Sequence, residues 1–129
     1  MKLQFRHQPF QADAANTVCD VFAGQPFRAP TYMIDSGFWE RTLFQAEDYT
    51  GFNNAPVVVD DGKILEHIRV IQRRGNIKPS EALKGRFNLT VEMETGVGKT
   101  YTYIKTMYEL NKRYGWSKFI GVVPSVAIR

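Results

Sequence analysis

A chain of 129 residues has room for one domain, and 43% hydrophobic residues with a formal net charge of +4 is a globular composition, not a fibrous or disordered one. The single cysteine, Cys19, excludes an internal disulfide, no Cys/His cluster has metal-ligand spacing, and no apolar run approaches membrane-spanning length. The N-terminus, MKLQFRHQPF, lacks an apolar signal core, so the expectation is a soluble cytoplasmic protein with no membrane partner. Charge is uneven along the chain: residues 1–64 hold five Lys/Arg against eight Asp/Glu, and residues 65–129 hold twelve against five. A basic C-terminal half suits a polyanion such as nucleotide or nucleic acid, and equally a solvated charged surface.

The first element reads as a helix from about Gln8 to Ala23. Pro9 suits its first turn, where a missing N–H loses no partner; Phe10, Ala14, Val18, Val21 and Phe22 recur at helical spacing, and Gly24 is the stop. Residues 25–60 are broken by Pro26, Pro30, Gly37, Gly51 and Pro56 and threaded with aromatics. They read as loops with short strands or a short helix near Phe38–Phe44, the rings serving as local core or as base-stacking groups. A second helix follows in DGKILEHIRVIQRRG. Ile64, Leu65, Ile68 and Ile71 share one face, Asp60 or Asp61 is the cap, and Gly75 is the terminator. Arg73 and Arg74 then sit at its C-terminus, where positive charge is favourable.

After a polar connector (76–86), FNLTVEM (87–93) has the composition of a buried strand. A glycine loop comes next, then a helix from Gly98 or Lys99 to Tyr114 ended by Gly115, and KFIGVVP (118–124) as a second strand. On that helix Tyr101, Ile104 and Tyr108 form one apolar stripe, and Tyr103, Met107, Leu110 and Tyr114 another, which predicts packing against more than one neighbour. Strand, helix, strand is the start of an α/β domain with a parallel sheet.

The loop between strand and helix carries chemistry. Phosphate binding needs small residues so that backbone N–H groups can approach, a helix N-terminus, a lysine for the terminal phosphates and a hydroxyl for Mg²⁺. Thr95, Gly96, Val97, Gly98, Lys99 and Thr100 spell T-G-x-G-K-T: Gly96 and Gly98 give close approach, Lys99 the cation and Thr100 the Mg²⁺-directed hydroxyl. The first Gly of the longer G-x-x-x-x-G-K-[ST] pattern would fall at Met93, so the shorter, motor-type form is the one present. The cofactors expected are ATP and Mg²⁺.

ETGVGKT and the following YTYIKTMYELNKRYGWSKFIGVVPSVAIR closely resemble the N-terminal motor region of the restriction (Res) subunit of type III restriction-modification enzymes, superfamily 2 helicase-like ATPases fused to a nuclease. The similarity is strong over 86–129 and looser over the first two helices; Val97 stands where Thr is most usual. The resemblance implies an incomplete P-loop (RecA-like) parallel-sheet domain: residues 1–24 a helix with an adenine-contacting Gln, 25–85 a family-specific irregular and helical segment, and 86–129 the βαβ unit. It implies Gln11, after Phe10, as the adenine contact, and Pro124, Ser125 and Val126 as a DNA-backbone contact. It implies double-stranded DNA and a modification methyltransferase (Mod) subunit as partners. Three readings stand open: a type III Res fragment, a type I restriction motor or other superfamily 2 helicase, and a non-catalytic nucleotide- or DNA-binding module. No second Mg²⁺ carboxylate, arginine finger or nuclease carboxylates follow the loop, so the 129 residues alone are expected to be inactive in hydrolysis and cleavage.

Overall fold

The structure, a computed structural model, describes residues 8–29 and 54–122. It contains helices α1 (Pro9–Val21), α2 (Asp61–Arg74) and α3 (Lys99–Tyr114). The short helix expected near Phe38–Phe44 and the Pro124–Val126 contact lie outside the described residues.

Each helix forms where its ends are chemically marked. α1 begins with Pro9 at its first position, and the chain leaves it through Gly24 at φ +92°. Asp60 caps α2 by accepting the Gly62 N–H at 2.9 Å. Gly75 caps its far end, as expected, and the chain then turns at Asn76, which takes φ +55°; the Asn76 N–H reaches the Arg73 carbonyl at 3.1 Å, and the Ile77 N–H reaches the Gln72 carbonyl at 2.8 Å. That is a Schellman motif with Asn in the left-handed position. α3 runs from one left-handed glycine to another, Gly98 (φ +87°) and Gly115 (φ +77°).

α1 packs against α2 and, more extensively, against α3. Ala15 and Cys19 are fully buried, four residues apart on one stripe, and their small side chains admit α3 closely. Of the predicted face, Val21 and Phe22 are buried and Ala14 and Val18 half-buried, but Ala15 and Cys19 join it and Phe10 is 45% exposed. α3 departs further: it buries Thr102 and Tyr114, while Tyr101, Tyr103, Ile104 and Tyr108 are exposed. Thr102 is buried without an unmet hydroxyl because its Oγ1 donates to the Gly98 carbonyl at 3.2 Å.

The core gathers Cys19, Val21, Phe22, Val59, Ile64, Tyr114 and Trp116, with Ile68, Ile71, Phe87 and Leu89 packed on it. Phe22 lies edge-on to Trp116 (5.2 Å between centroids) and to Phe87 (6.1 Å), contacts of about 0.5–1.5 kcal/mol each beyond area burial. Side-chain amides hold the chain between the helices. Gln25, buried, donates to the Pro56 carbonyl and accepts from the Val58 N–H, and Asn54 Oδ1 accepts from the Ser117 and Lys118 N–H groups. Trp116 Nε1 donates to the Ala55 carbonyl at 2.9 Å.

In 87–90 burial alternates, Phe87 and Leu89 turned to the core and Asn88 and Thr90 exposed, as a strand requires. Among the described residues no ladder pairs this segment or 118–122, and Ile120 and Val122 stand almost fully exposed. A strand needs a hydrogen-bonded neighbour. The parallel sheet therefore rests on the sequence pattern alone. No helix among the described residues is long and apolar enough to cross a membrane.

Candidate nucleotide-binding site

The loop 95–100 is shaped by its two glycines. Gly96 (φ +80°) and Gly98 (φ +87°) both hold the left-handed conformation that side chains disfavour. A Cβ on Gly96 would meet nothing within 4 Å, so the strand-side turn of the loop faces open space. Gly98 is the N-cap of α3, and no side chain caps that end; its first turn contains no acidic residue. The first-turn N–H groups of a helix have no intrahelical partner, and together with the helix dipole they favour an anion. Lys99 and Thr100 are exposed at this same end. The donors are thus arranged around a bare, positively polarised helix terminus.

The structure adds a contact that spacing does not show. Gln11, in the first turn of α1, donates its Nε2 to the Val97 carbonyl at 2.8 Å, across 86 residues of sequence. A Cβ on Gly98 would come within 2.6 Å of the same Nε2, so a side chain there would displace the Gln11 amide, while the φ of +87° by itself favours glycine. Because the partner is a carbonyl, the amide nitrogen must face the loop, and Oε1 keeps its acceptor capacity. Of the residues singled out in the sequence, Gln11 and 95–100 come together.

α1 and α3 lie side by side in the same direction. Gln11 meets Val97 at one end, and at the other Arg113 Nη1 donates to Asp20 Oδ1 at 2.7 Å while Nη2 donates to Asn16 Oδ1 at 2.8 Å. Tyr114 Oη donates to the Cys19 carbonyl at 2.8 Å, wholly buried. The Asp20 hydrogen bond holds the Arg113 guanidinium above even its usual pKa, and burial raises that of Tyr114. Burial likewise pushes the Cys19 thiol up to about 11. By sequence position alone Arg113 is a basic residue in the last turn of α3, suited to the helix dipole. Its partners on α1 lie more than ninety residues away, and no local pattern marks them.

The residues fit a nucleoside triphosphate: a cradle kept open by two glycines, a free-ended helix, one lysine, one hydroxyl and an amide acceptor nearby. Among the described residues no group of three or more His, Cys, Asp or Glu side chains is placed to hold a metal alone, so a divalent ion here would arrive with phosphate oxygens as co-ligands.

A family model described as "Type III restriction enzyme, res subunit" matches residues 8–129. The chain is 56% identical over 81 residues to the type III restriction-modification enzyme EcoPI Res subunit of Escherichia phage P1, covering 59% of this chain and 8% of that protein. It is 58% identical over 41 residues (32% of this chain, 4% of the other) to the EcoP15I Res subunit of Escherichia coli. Against the StyLTI Res subunit of Salmonella typhimurium it is 51% identical over 49 residues (38% and 5%). The matched segments thus span less than a tenth of those relatives. No solved structure matches.

Proposed function

Because the chain belongs to the family of type III restriction enzyme Res subunits, we propose that residues 8–129 form the ATP-binding front of a helicase-like motor. In the complete subunit that motor translocates on double-stranded DNA and cleaves it, working with a Mod methyltransferase subunit. The family is that of the type III subunit, which favours this reading over a type I motor. The observation that carries the proposal is the uncapped N-terminus of α3, flanked by Lys99, Thr100 and the docked amide of Gln11.

In this reading the N–H groups of Gly96 to Thr100 receive the phosphates and Lys99 neutralises their charge. Thr100 would present its hydroxyl to Mg²⁺, which when bound would neutralise negative charge on the phosphate oxygens and so ease the approach of a nucleophile. Gln11 Oε1 accepts from the exocyclic amine of adenine. Guanine offers a carbonyl at the equivalent position, so the same amide selects against it. Phe10, exposed beside Gln11, supplies an apolar ring for the base. The RecA-like parallel sheet, built from 87–93 and 118–124 with further strands, is part of the proposal, as are Pro124, Ser125 and Val126 as donors to the DNA backbone.

The test is binding of a fluorescent ATP analogue to the purified chain, with unlabelled ATP and GTP as competitors. Saturable binding that ATP displaces better than GTP, and that Lys99→Ala removes without moving the melting midpoint, is the expected result. Binding indifferent to Lys99 refutes the site.

A further inference from the structure

Hydrophobic contact alone does not fix how far α1 slides along α3. Ala15 and Cys19 are small, and burial of apolar surface is non-directional. Directional contacts set the register, and apart from the Gln11–Val97 bond itself they sit at the end remote from the loop: the Arg113 fork on Asp20 and Asn16, with Tyr114 Oη on the Cys19 carbonyl. Gln11 and Asp20 are on one rigid helix, about 13 Å apart along its axis at 1.5 Å per residue. A slip of one residue's rise, about 1.5 Å, would lengthen and misalign the 2.8 Å contact between Gln11 and Val97.

From this we propose that Arg113 is a positioning residue for base selection. By gripping Asp20 and Asn16 it sets the register of α1 on α3, and so holds the Gln11 amide where it meets both the loop and the base. The inference rests on the nucleotide reading of the loop. Arg113 is well placed for it: its side chain is only 33% exposed, and a further carboxylate, Glu109, lies 3.8 Å from its Nε. In the nucleotide reading ATP and GTP share the loop N–H groups and Lys99, so a change confined to the Gln11 amide acts on their ratio.

The experiment compares affinity of the 129-residue chain for ATP and GTP, by competition against the fluorescent analogue, in Gln11→Ala, Arg113→Met, their double variant and Gln72→Ala. The last is a stability control: it removes the paired contacts that Gln72 of α2 makes with Ser80 of the following connector, away from the α1–α3 seam. Arg113→Met is expected to weaken ATP by about tenfold, the worth of one well-made hydrogen bond, with GTP within about twofold of the parent. The double variant should be no worse than Gln11→Ala alone, because both changes remove the same contact. Gln72→Ala should keep the parent preference at a lowered melting midpoint.

An unchanged ATP-to-GTP ratio in Arg113→Met overturns the inference while leaving the site intact. Parallel loss of both nucleotides overturns it too, by reducing Arg113 to a stability role. If Gln11→Ala itself leaves the ratio unchanged, the adenine reading falls and takes this inference with it. Should Arg113→Met fail to fold, Asp20→Asn and Asn16→Ala weaken the same fork from α1 and are judged by the same ratio.

Discussion

Gly98→Ala perturbs two things at once, and they can be separated. The residue holds φ +87°, so an alanine there carries the left-handed penalty of about 1–2 kcal/mol. Its Cβ would also stand 2.6 Å from Gln11 Nε2, which must move and lose the 2.8 Å bond to the Val97 carbonyl. A hydrogen bond of this kind contributes about 1 kcal/mol, so the expected total is about 2–3 kcal/mol. Gly96 is the control: φ +80° with nothing within 4 Å of its Cβ, hence about 1–2 kcal/mol from strain alone. Urea unfolding followed by circular dichroism gives both values. In a Gln11→Ala background the excess of Gly98→Ala over Gly96→Ala should vanish, since the side chain that it strikes is gone. Equal penalties for the two glycines in the parent chain, or an excess that survives removal of Gln11, would refute the claim that Gly98 is shaped by its neighbour.

Gly115→Ala should be the most damaging change of this kind, about 3 kcal/mol or more by urea unfolding, because its Cβ would strike the Arg28 carbonyl at φ +77°. Trp116→Phe keeps an aromatic against Phe22 but strands the Ala55 carbonyl; about 1–2 kcal/mol should be lost in the same assay. Stability should fall with rising pH between about 9 and 11. The native Cys19 thiol holds its proton up to about 11 against 9.0 for the free group, so its contribution is complete below the lower value and gone above the upper one, about 2–3 kcal/mol in all. Tyr114, also raised by burial, acts in the same sense, so Cys19→Ala should flatten the alkaline slope of the urea midpoint without abolishing it.

Local chemistry was legible in the sequence to the degree that it is local. Pro9, Asp60 and Gly115 mark helix ends through their own backbone or a neighbour two residues away, and the observed bounds follow them closely. α2 stops at Gly75 as expected, and the left-handed residue that follows is Asn76, because Asn can also adopt that turn. The faces were harder to read. Apolar periodicity rightly marked Val21, Phe22 and Tyr114 as buried and Leu110 as packed on the core, but it also included Phe10 and the Tyr101, Ile104, Tyr108 stripe, which are exposed, and it missed Ala15, Cys19 and Thr102. In the loop, residue types and spacing gave the phosphate donors. The resemblance pointed to Gln11 but not to its partner Val97, and nothing pointed to the fork of Arg113. Those pairings join residues 86 to 97 apart, and no periodic signal spans such a distance.

The three helix N-termini differ in a way that fits the proposed site. α2 neutralises its own positive end with the Asp60 cap and Asp61 in the first turn. α1 and α3 have no side-chain cap and no acidic residue in their first turns. An uncapped end ordinarily lowers helix stability by about 1 kcal/mol, so two in one small chain ask for a compensating role. The parallel packing of α1 on α3 brings these two bare ends together where Gln11 meets Val97, each contributing about half a positive charge. An antiparallel pair would have set a negative end beside the loop and opposed a phosphate. The fork at Arg113 joins the same pair at the opposite end, so the two helices are tied to each other at both ends.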